Sequence, residues 1–278
     1  MTPRELIRQT ASRFLAAGIP DPEYDASLLL SRLTGRKPLD LRMDESTVLS
    51  PSVISSYEDL ALKRLQRIPL QYLLGEAPFF RRIFMVDSRV LIPRPETELL
   101  CEWALEILSS LSAPCILDLC CGSGCIGLTL KAERPDAFVT LSDISRDALD
   151  VASVNAEKLS LDVRLEQKDL LNGFSASSFD LIVSNPPYIP EEDCMHLQPE
   201  VLHEPLLALD GGPDGCGLYR RIIRTAGAVL KTGGRLLMEL GIRESGILVP
   251  LLRDHGFTGI QIRQDYAGID RMILAVHP

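Results

Sequence analysis

The feature that most restricts the fold is a series of short, continuous apolar runs beyond Pro95, each followed by a longer stretch with helical spacing. Phe179-Asp180-Leu181-Ile182-Val183 is one such run. Text of this kind belongs to strands covered on both faces by helices, as in parallel sheets. The reading places strands at 115–119, 138–142, 162–167, 179–184, 234–240, 258–263 and 271–276, with helices at about 96–110, 124–132, 146–159, 215–231 and 245–255. Right-handed crossovers make this a doubly wound, mostly parallel, seven-stranded α/β sheet.

The first 75 residues differ. Leu6, Ile7, Phe14 and Leu15, then Ala26, Leu29, Leu30 and Leu33, recur at helical spacing; Pro20-Asp21-Pro22 separates them and Ser50-Pro51 opens a further helix through Leu65. A small helical bundle is expected there. Residues 76–92 read as a β-hairpin linker, with apolar residues at Phe80, Ile83-Phe84, Val86 and Val90-Leu91-Ile92 and a turn at Asp87-Ser88. Residues 93–278 form the α/β domain. At 278 residues the chain is long enough for two such domains.

The strand at 115–119 runs into Cys120-Cys121-Gly122-Ser123-Gly124 before a helix. Glycines there let backbone approach a ligand, and the helix start offers free N–H groups. Gly122, Gly124 and Gly127 spell G-x-G-x-x-G, and Asp143 lies about twenty residues on, placed to accept both ribose hydroxyls. The glycine string alone does not separate a dinucleotide from another adenosine cofactor. A carboxylate at Asp118 would repel a pyrophosphate but welcome a sulfonium with its ammonium group, which tilts the choice to S-adenosylmethionine; a simple loop cap is the other reading of Asp118.

The fourth strand ends in Asn185-Pro186-Pro187-Tyr188, at the sheet edge where open α/β folds hold ligands. Two prolines stiffen this frame. An amide NH2 could then donate one N–H to the Asn185 side-chain oxygen and one to the Pro186 carbonyl, while Tyr188 covers the planar group. The two acceptors would stabilise positive charge growing on nitrogen during methyl transfer. The segment 189–214 exceeds a simple connector and reads as a lid or substrate wall.

These motifs resemble the bacterial release-factor glutamine methyltransferases, the HemK/PrmC family, along essentially the whole chain. The matching pieces are Ile92-Pro93-Arg94-Pro95-Glu96-Thr97-Glu98, Asp118 to Gly124, Asn185-Pro186-Pro187-Tyr188, Glu204-Pro205 and Asp265 to Arg271. The resemblance implies a Rossmann-like methyltransferase domain and methyl transfer from S-adenosylmethionine, leaving S-adenosylhomocysteine, to the amide nitrogen of the glutamine in the Gly-Gly-Gln motif of peptide chain release factors. It implies that Gly122 and Gly124 contact the methionine part of the cofactor, Asp143 its ribose, and the segment Asp169-Leu170 its adenine side, with Asp118, Cys120, Cys121 and Ser123 also among the cofactor-binding residues. It further implies that Asn185, Pro186 and Tyr188 are catalytic and that Pro187 joins them in the substrate pocket; Asn185 also borders the cofactor. Residues 1–75 would dock the release factor. Family members often carry glycine at position 120 and an aromatic at 170, where this chain has Cys120 and Leu170.

Charge separates the alternatives. Residues 1–75 hold 10 Lys/Arg against 9 Asp/Glu, whereas 76–278 hold 19 against 29. A DNA or RNA amino-methyltransferase acting on a flipped base shares Asn-Pro-Pro-Tyr but needs a basic groove, so no nucleic acid is expected. A dehydrogenase lacks a hydride-transfer constellation among His196, His203, His255 and His277. A non-enzymatic docking module leaves the tetrapeptide without purpose. Seven cysteines, an odd number without framework spacing, fit reduced thiols, and Cys120-Cys121-x3-Cys125 lacks a fourth ligand for a metal. No apolar run is long enough to span a bilayer, and the start, Met1 to Glu5, is unlike a signal peptide; a cytoplasmic monomer is expected.

Overall fold

The computed structural model describes residues 1–242 and 244–278. The chain packs as two units, Met1–Glu76 with Gln198–His203, and Ala77–Leu197 with Glu204–Pro278.

The first unit holds α1 (Pro3–Ala16), α2 (Pro22–Thr34), α3 (Pro38–Met43), α4 (Pro51–Leu65) and α5 (Leu70–Leu74). Proline opens each of α1 to α4, where its missing N–H has no partner to lose. Leu6, Ile7, Phe14, Leu29, Leu30 and Tyr57 fill the core. Arg64 is almost fully buried, with Asp25 at 2.8 Å and Glu200 at 2.9 Å, and Arg67 reaches the same Glu200 at 2.7 Å. Those pairs fasten residues 198–203 to the helices. The sequence reading, which ended this unit at residue 75, does not contain them.

In the second unit, β1 (Glu76–Phe79) and β2 (Arg82–Met85) form a hairpin. Its turn is Phe80-Arg81, both at positive φ (45° and 63°), and not Asp87-Ser88. Such a two-residue turn matches the twist of its flanking strands. Asp87 instead accepts from the Arg89 N–H at 3.0 Å and pairs with its guanidinium, so 86–94 runs on without a strand.

There follow α6 (Pro95–Leu108), β3 (Cys115–Leu119), α7 (Cys125–Glu133), β4 (Phe138–Asp143), α8 (Arg146–Leu159), β5 (Arg164–Gln167), β6 (Phe179–Ser184), α9 (Gly217–Val229), β7 (Leu230–Glu239), α10 (Ser245–Asp254), β8 (Thr258–Gln264) and β9 (Asp270–Val276). All seven expected strands of the sheet are present, in the order β5-β4-β3-β6-β7-β9-β8. β3 to β7 pair in parallel, and β9 runs antiparallel to both neighbours. Strand alternation divides the core: Leu141 and Val183 face the layer with Trp103 and Leu128, while Leu117 and Ile182 face that with Tyr219 and Ile222. The chain reverses its order of winding between β3 and β6, and the crevice at their carboxyl ends is the natural ligand site of such a sheet.

Candidate active site

That crevice is a cavity of about 210 Å³, walled by Cys120, Cys121, Gly122 and Ser123 after β3, Ser142 and Asp143 of β4, Asp169 and Leu170, Asn185 and Pro187 after β6, and Arg94, Thr97, Pro205 and Leu207. Nine of the sequence-selected residues therefore share one wall. Asp118, Gly124, Pro186 and Tyr188 are not in the wall formed by the described residues.

Asp118 is fully buried beneath the loop, its Oδ2 accepting the Gly127 N–H of α7 at 2.8 Å. One oxygen thus serves the first turn of α7, while Oδ1 is buried without a hydrogen-bond partner among the described residues. Burial pushes its carboxyl up to about 7, against the pull of the Gly127 N–H. Gly127 is required here because a Cβ would stand 2.2 Å from Leu141 and 2.9 Å from Asp118, so α7 could not lie against the sheet. Gly122, at φ +52°, has the opposite surroundings: an added Cβ would meet nothing within 4 Å. Open space before backbone at the cavity wall suits a ligand that approaches the main chain.

Asp143 at the tip of β4 accepts from the Gly122 and Ser145 N–H groups, each at 2.9 Å. Burial raises its pKa and those N–H groups oppose the rise. Each oxygen keeps a second lone pair for a ligand hydroxyl. Cys120 adopts φ +59°, a strain of about 1–2 kcal/mol in a residue with a Cβ. Burial holds the thiols of Cys120, Cys121 and Cys125 neutral. Leu170, at φ +52°, packs with the second core layer, and the Asp169 carboxylate holds Arg221 at 2.7 Å. The other wall cations also have carboxylate partners: Arg89 with Asp87, Arg94 with Glu204, and Lys168 with Glu166 at 3.7 Å. The cavity thus carries no uncompensated positive charge among the described residues, and a cationic ligand meets no net repulsion.

Tyr188 lies behind the wall. Its ring abuts Gly241, where a Cβ would come within 3.0 Å, and its backbone abuts Gly211 and Gly215. The Ile189 N–H donates to Leu209 and the Gly211 N–H to Ile189, so the long segment 189–214 leaves and returns beside Tyr188. Within it are single 3-10 turns at Asp193–His196, Val201–His203 and Leu206–Ala208.

Four polar residues complete the surroundings, and sequence reasoning gave none of them a role. Thr97 donates to the buried Glu239 at 2.7 Å, and the Asn185 amide donates to Thr97 at 3.4 Å. Glu204 accepts from Arg94 and from the Ile92 N–H, fixing the start of the Pro-Arg-Pro-Glu run. Asn155 accepts from Met85 and donates to Met85 and Ser123, tying the glycine loop to the hairpin.

Burial raises the carboxyls of Asp118, Glu239 and Glu244 to about 7, from ordinary values of 3.8, 4.5 and 4.5. A carboxyl raised on folding holds its proton more tightly in the folded chain. Its stabilisation is complete below the unfolded pKa and is lost as pH climbs through the folded one. The strongly depressed groups, Asp44, Asp136 and Asp214, act at lower pH: their stabilisation is complete above the unfolded value of 3.8 and is lost as pH falls through the folded ones. We expect the unfolding temperature to fall between pH 5 and 8, and Glu239→Gln to flatten part of that fall. Circular dichroism melts rising over this range would contradict it.

Family models match residues 5–75 as "PrmC N-terminal domain" and 97–212 as "Methyltransferase small domain". A release factor glutamine methyltransferase of Deinococcus radiodurans is 40% identical over 98% of this chain and 97% of its own. One of Chlorobaculum tepidum is 41% identical over 96% and 94%. Among solved structures, a Pyrococcus furiosus methyltransferase covers 70% of this chain and 88% of its own at 15% identity, with a TM-score of 0.52. The T. thermophilus 16S rRNA N2 G1207 methyltransferase, in complex with AdoMet and guanosine, covers 73% and 50% at 19% identity, with a TM-score of 0.53. These two likenesses concern the fold.

Proposed function

Because the chain belongs to the release factor glutamine methyltransferase family, we propose that it transfers a methyl group from S-adenosylmethionine to the side-chain amide nitrogen of the glutamine in the Gly-Gly-Gln motif of peptide chain release factors. The observation that carries the reading is the shared cavity: Gly122 and Asp143 line a wall that also contains Asn185 and Pro187. The open backbone at Gly122, the spare lone pairs of Asp143 and the compensated cations all suit the adenosine and sulfonium parts of that cofactor. When bound, S-adenosylmethionine supplies a methyl group activated by attachment to a sulfonium.

The protein's own part is placement and charge stabilisation. Asn185 Oδ1 and the Pro186 carbonyl would accept the two N–H bonds of the glutamine amide, holding its nitrogen in line with the methyl carbon. An amide nitrogen is a weak nucleophile, since its lone pair is shared with its carbonyl. Two fixed oxygens draw out that lone pair and stabilise the growing positive charge, and positioning of this kind contributes about 7–11 kcal/mol in favourable cases. The new bond to nitrogen would form as the methyl's bond to sulfur breaks, leaving S-adenosylhomocysteine; the nitrogen, made acidic by its fourth bond, then gives one proton to water without a dedicated base. Tyr188, partly buried behind the wall against Gly241, would brace the Asn-Pro-Pro frame from outside the cavity. The helical unit, matched over residues 5–75, would dock the folded release factor away from the reacting side chain.

Incubation with S-adenosylmethionine and a release factor, followed by peptide mass spectrometry, tests the reading. One added methyl on the Gly-Gly-Gln glutamine is expected. A methyl elsewhere, or none, would overturn it.

A further inference from the structure

The useful face of an asparagine is ambiguous, because its amide presents an acceptor on one side and a donor on the other. At Asn185 the distinction decides whether a substrate amide is gripped or repelled. Beside Asn185 in the cavity wall is Thr97, 2% exposed, and bonded to Thr97 is Glu239, 1% exposed. Thr97 Oγ1 donates to Glu239 Oε2 at 2.7 Å, and Asn185 Nδ2 stands 3.4 Å from Thr97 Oγ1. Burial raises the Glu239 carboxyl to about 7, so at pH 8 it is largely ionised and only accepts, which fixes the direction of every bond in the chain. Thr97 must spend its single proton on Glu239, and its lone pairs are left to face the Asn185 NH2.

We propose that Thr97 and Glu239 are positioning residues that lock the Asn185 amide with Nδ2 inward, so that Oδ1 is the face presented to substrate. The proposal rests on the glutamine reading above and deepens it: the pair selects a carboxamide, which donates, over a carboxylate, which cannot. Thr97 belongs to the Pro-Arg-Pro-Glu-Thr-Glu segment at the start of α6, and Glu239 ends β7, 142 positions later. The Thr97 N–H is itself held by the Arg94 carbonyl at 3.1 Å, and Arg94 by Glu204, so the hydroxyl has little freedom to turn away.

The test compares Thr97→Val, which keeps the shape and removes the hydroxyl, with Thr97→Ser, which keeps the hydroxyl. Methylation of a Gly-Gly-Gln peptide is measured at pH 8, and inhibition by the corresponding Gly-Gly-Glu peptide at the same pH. We expect Thr97→Val to lower kcat about tenfold or more with KM within threefold, and to narrow the preference for the glutamine peptide over the glutamate peptide at least fivefold. Thr97→Ser should restore both. Wild-type kcat and preference in Thr97→Val would overturn the proposal, as would Thr97→Ser as impaired as Thr97→Val. If Thr97→Val does not fold, Glu239→Gln decides the matter: its side chain both donates and accepts, so the preference should narrow, and an unchanged preference is contrary. Failure of the glutamine reading looks different, since wild-type protein would then leave the glutamine peptide unmethylated.

Discussion

Asn185→Ala should lower kcat for release-factor methylation by about 10²–10³-fold while leaving the Kd for S-adenosylhomocysteine within threefold. The magnitude follows from losing one preorganised group that faces developing charge, which costs about 2.7–4 kcal/mol in comparable sites. The asymmetry follows from geometry. Asn185 is half-buried at the wall beyond the glycine loop, and the groups suited to hold adenosine, Gly122 and Asp143, bond to each other and not to Asn185. An interaction made fully only in the transition state lowers kcat without a matching change in ligand affinity. Asn185→Asp sharpens the argument. It keeps an acceptor but sets a carboxylate toward Glu239, so one of the two must hold a proton. Its activity should fall between wild type and Asn185→Ala. Isothermal titration with S-adenosylhomocysteine separates the readings: an affinity loss as large as the kcat loss would assign Asn185 to cofactor binding.

The sheet was legible because strands such as 179–184 are apolar without interruption and the helices between them carry clear periodicity. The glycine loop and the Asn-Pro-Pro-Tyr frame were legible for a related reason: both are local, and their residue types have few other uses. What escaped was either turn chemistry without its usual residues or a partnership across long separations. Phe80 and Arg81 form the hairpin turn at positive φ without a glycine or asparagine to mark it, so the register was displaced toward Asp87-Ser88. Asn155 sits in the middle of α8, where nothing in the sequence distinguishes a buried triple hydrogen bond from an exposed polar residue. Glu239 reads as the polar end of a strand until Thr97 is placed beside it. Glu200, within a polar loop, gave no sign that it pairs with Arg64 and Arg67. For Asp118 the sequence gives the carboxylate but not its direction; in the structure Oδ2 accepts from Gly127 and Oδ1 has no partner among the described residues.

The second large effect is expected at Gly215, outside every motif singled out in the sequence. Gly215 adopts φ +74°, and a Cβ there would stand 2.4 Å from the Tyr188 carbonyl oxygen and 3.1 Å from Glu244 Oε1. The nearer obstacle is backbone and cannot rotate aside. Gly215→Ala therefore adds about 1–2 kcal/mol of left-handed strain to about 1–3 kcal/mol of overpacking. Relief by moving the Tyr188 peptide is transmitted directly, because Pro186 and Pro187 leave few torsions between Tyr188 and Asn185 to absorb it. A displacement near 1 Å at a positioning group can cost about 10²-fold in rate. Gly212 provides the control: it lies at φ +89°, yet an added Cβ would meet nothing within 4 Å. Gly212→Ala thus incurs the strain without the collision, and should lose stability but keep kcat within a few-fold. Gly215→Ala should lose both, with kcat down about 10²-fold in the fraction that circular dichroism shows to be folded. Equal kcat in the two variants would mean that the frame around Asn185 does not depend on how tightly the returning loop is packed against Tyr188.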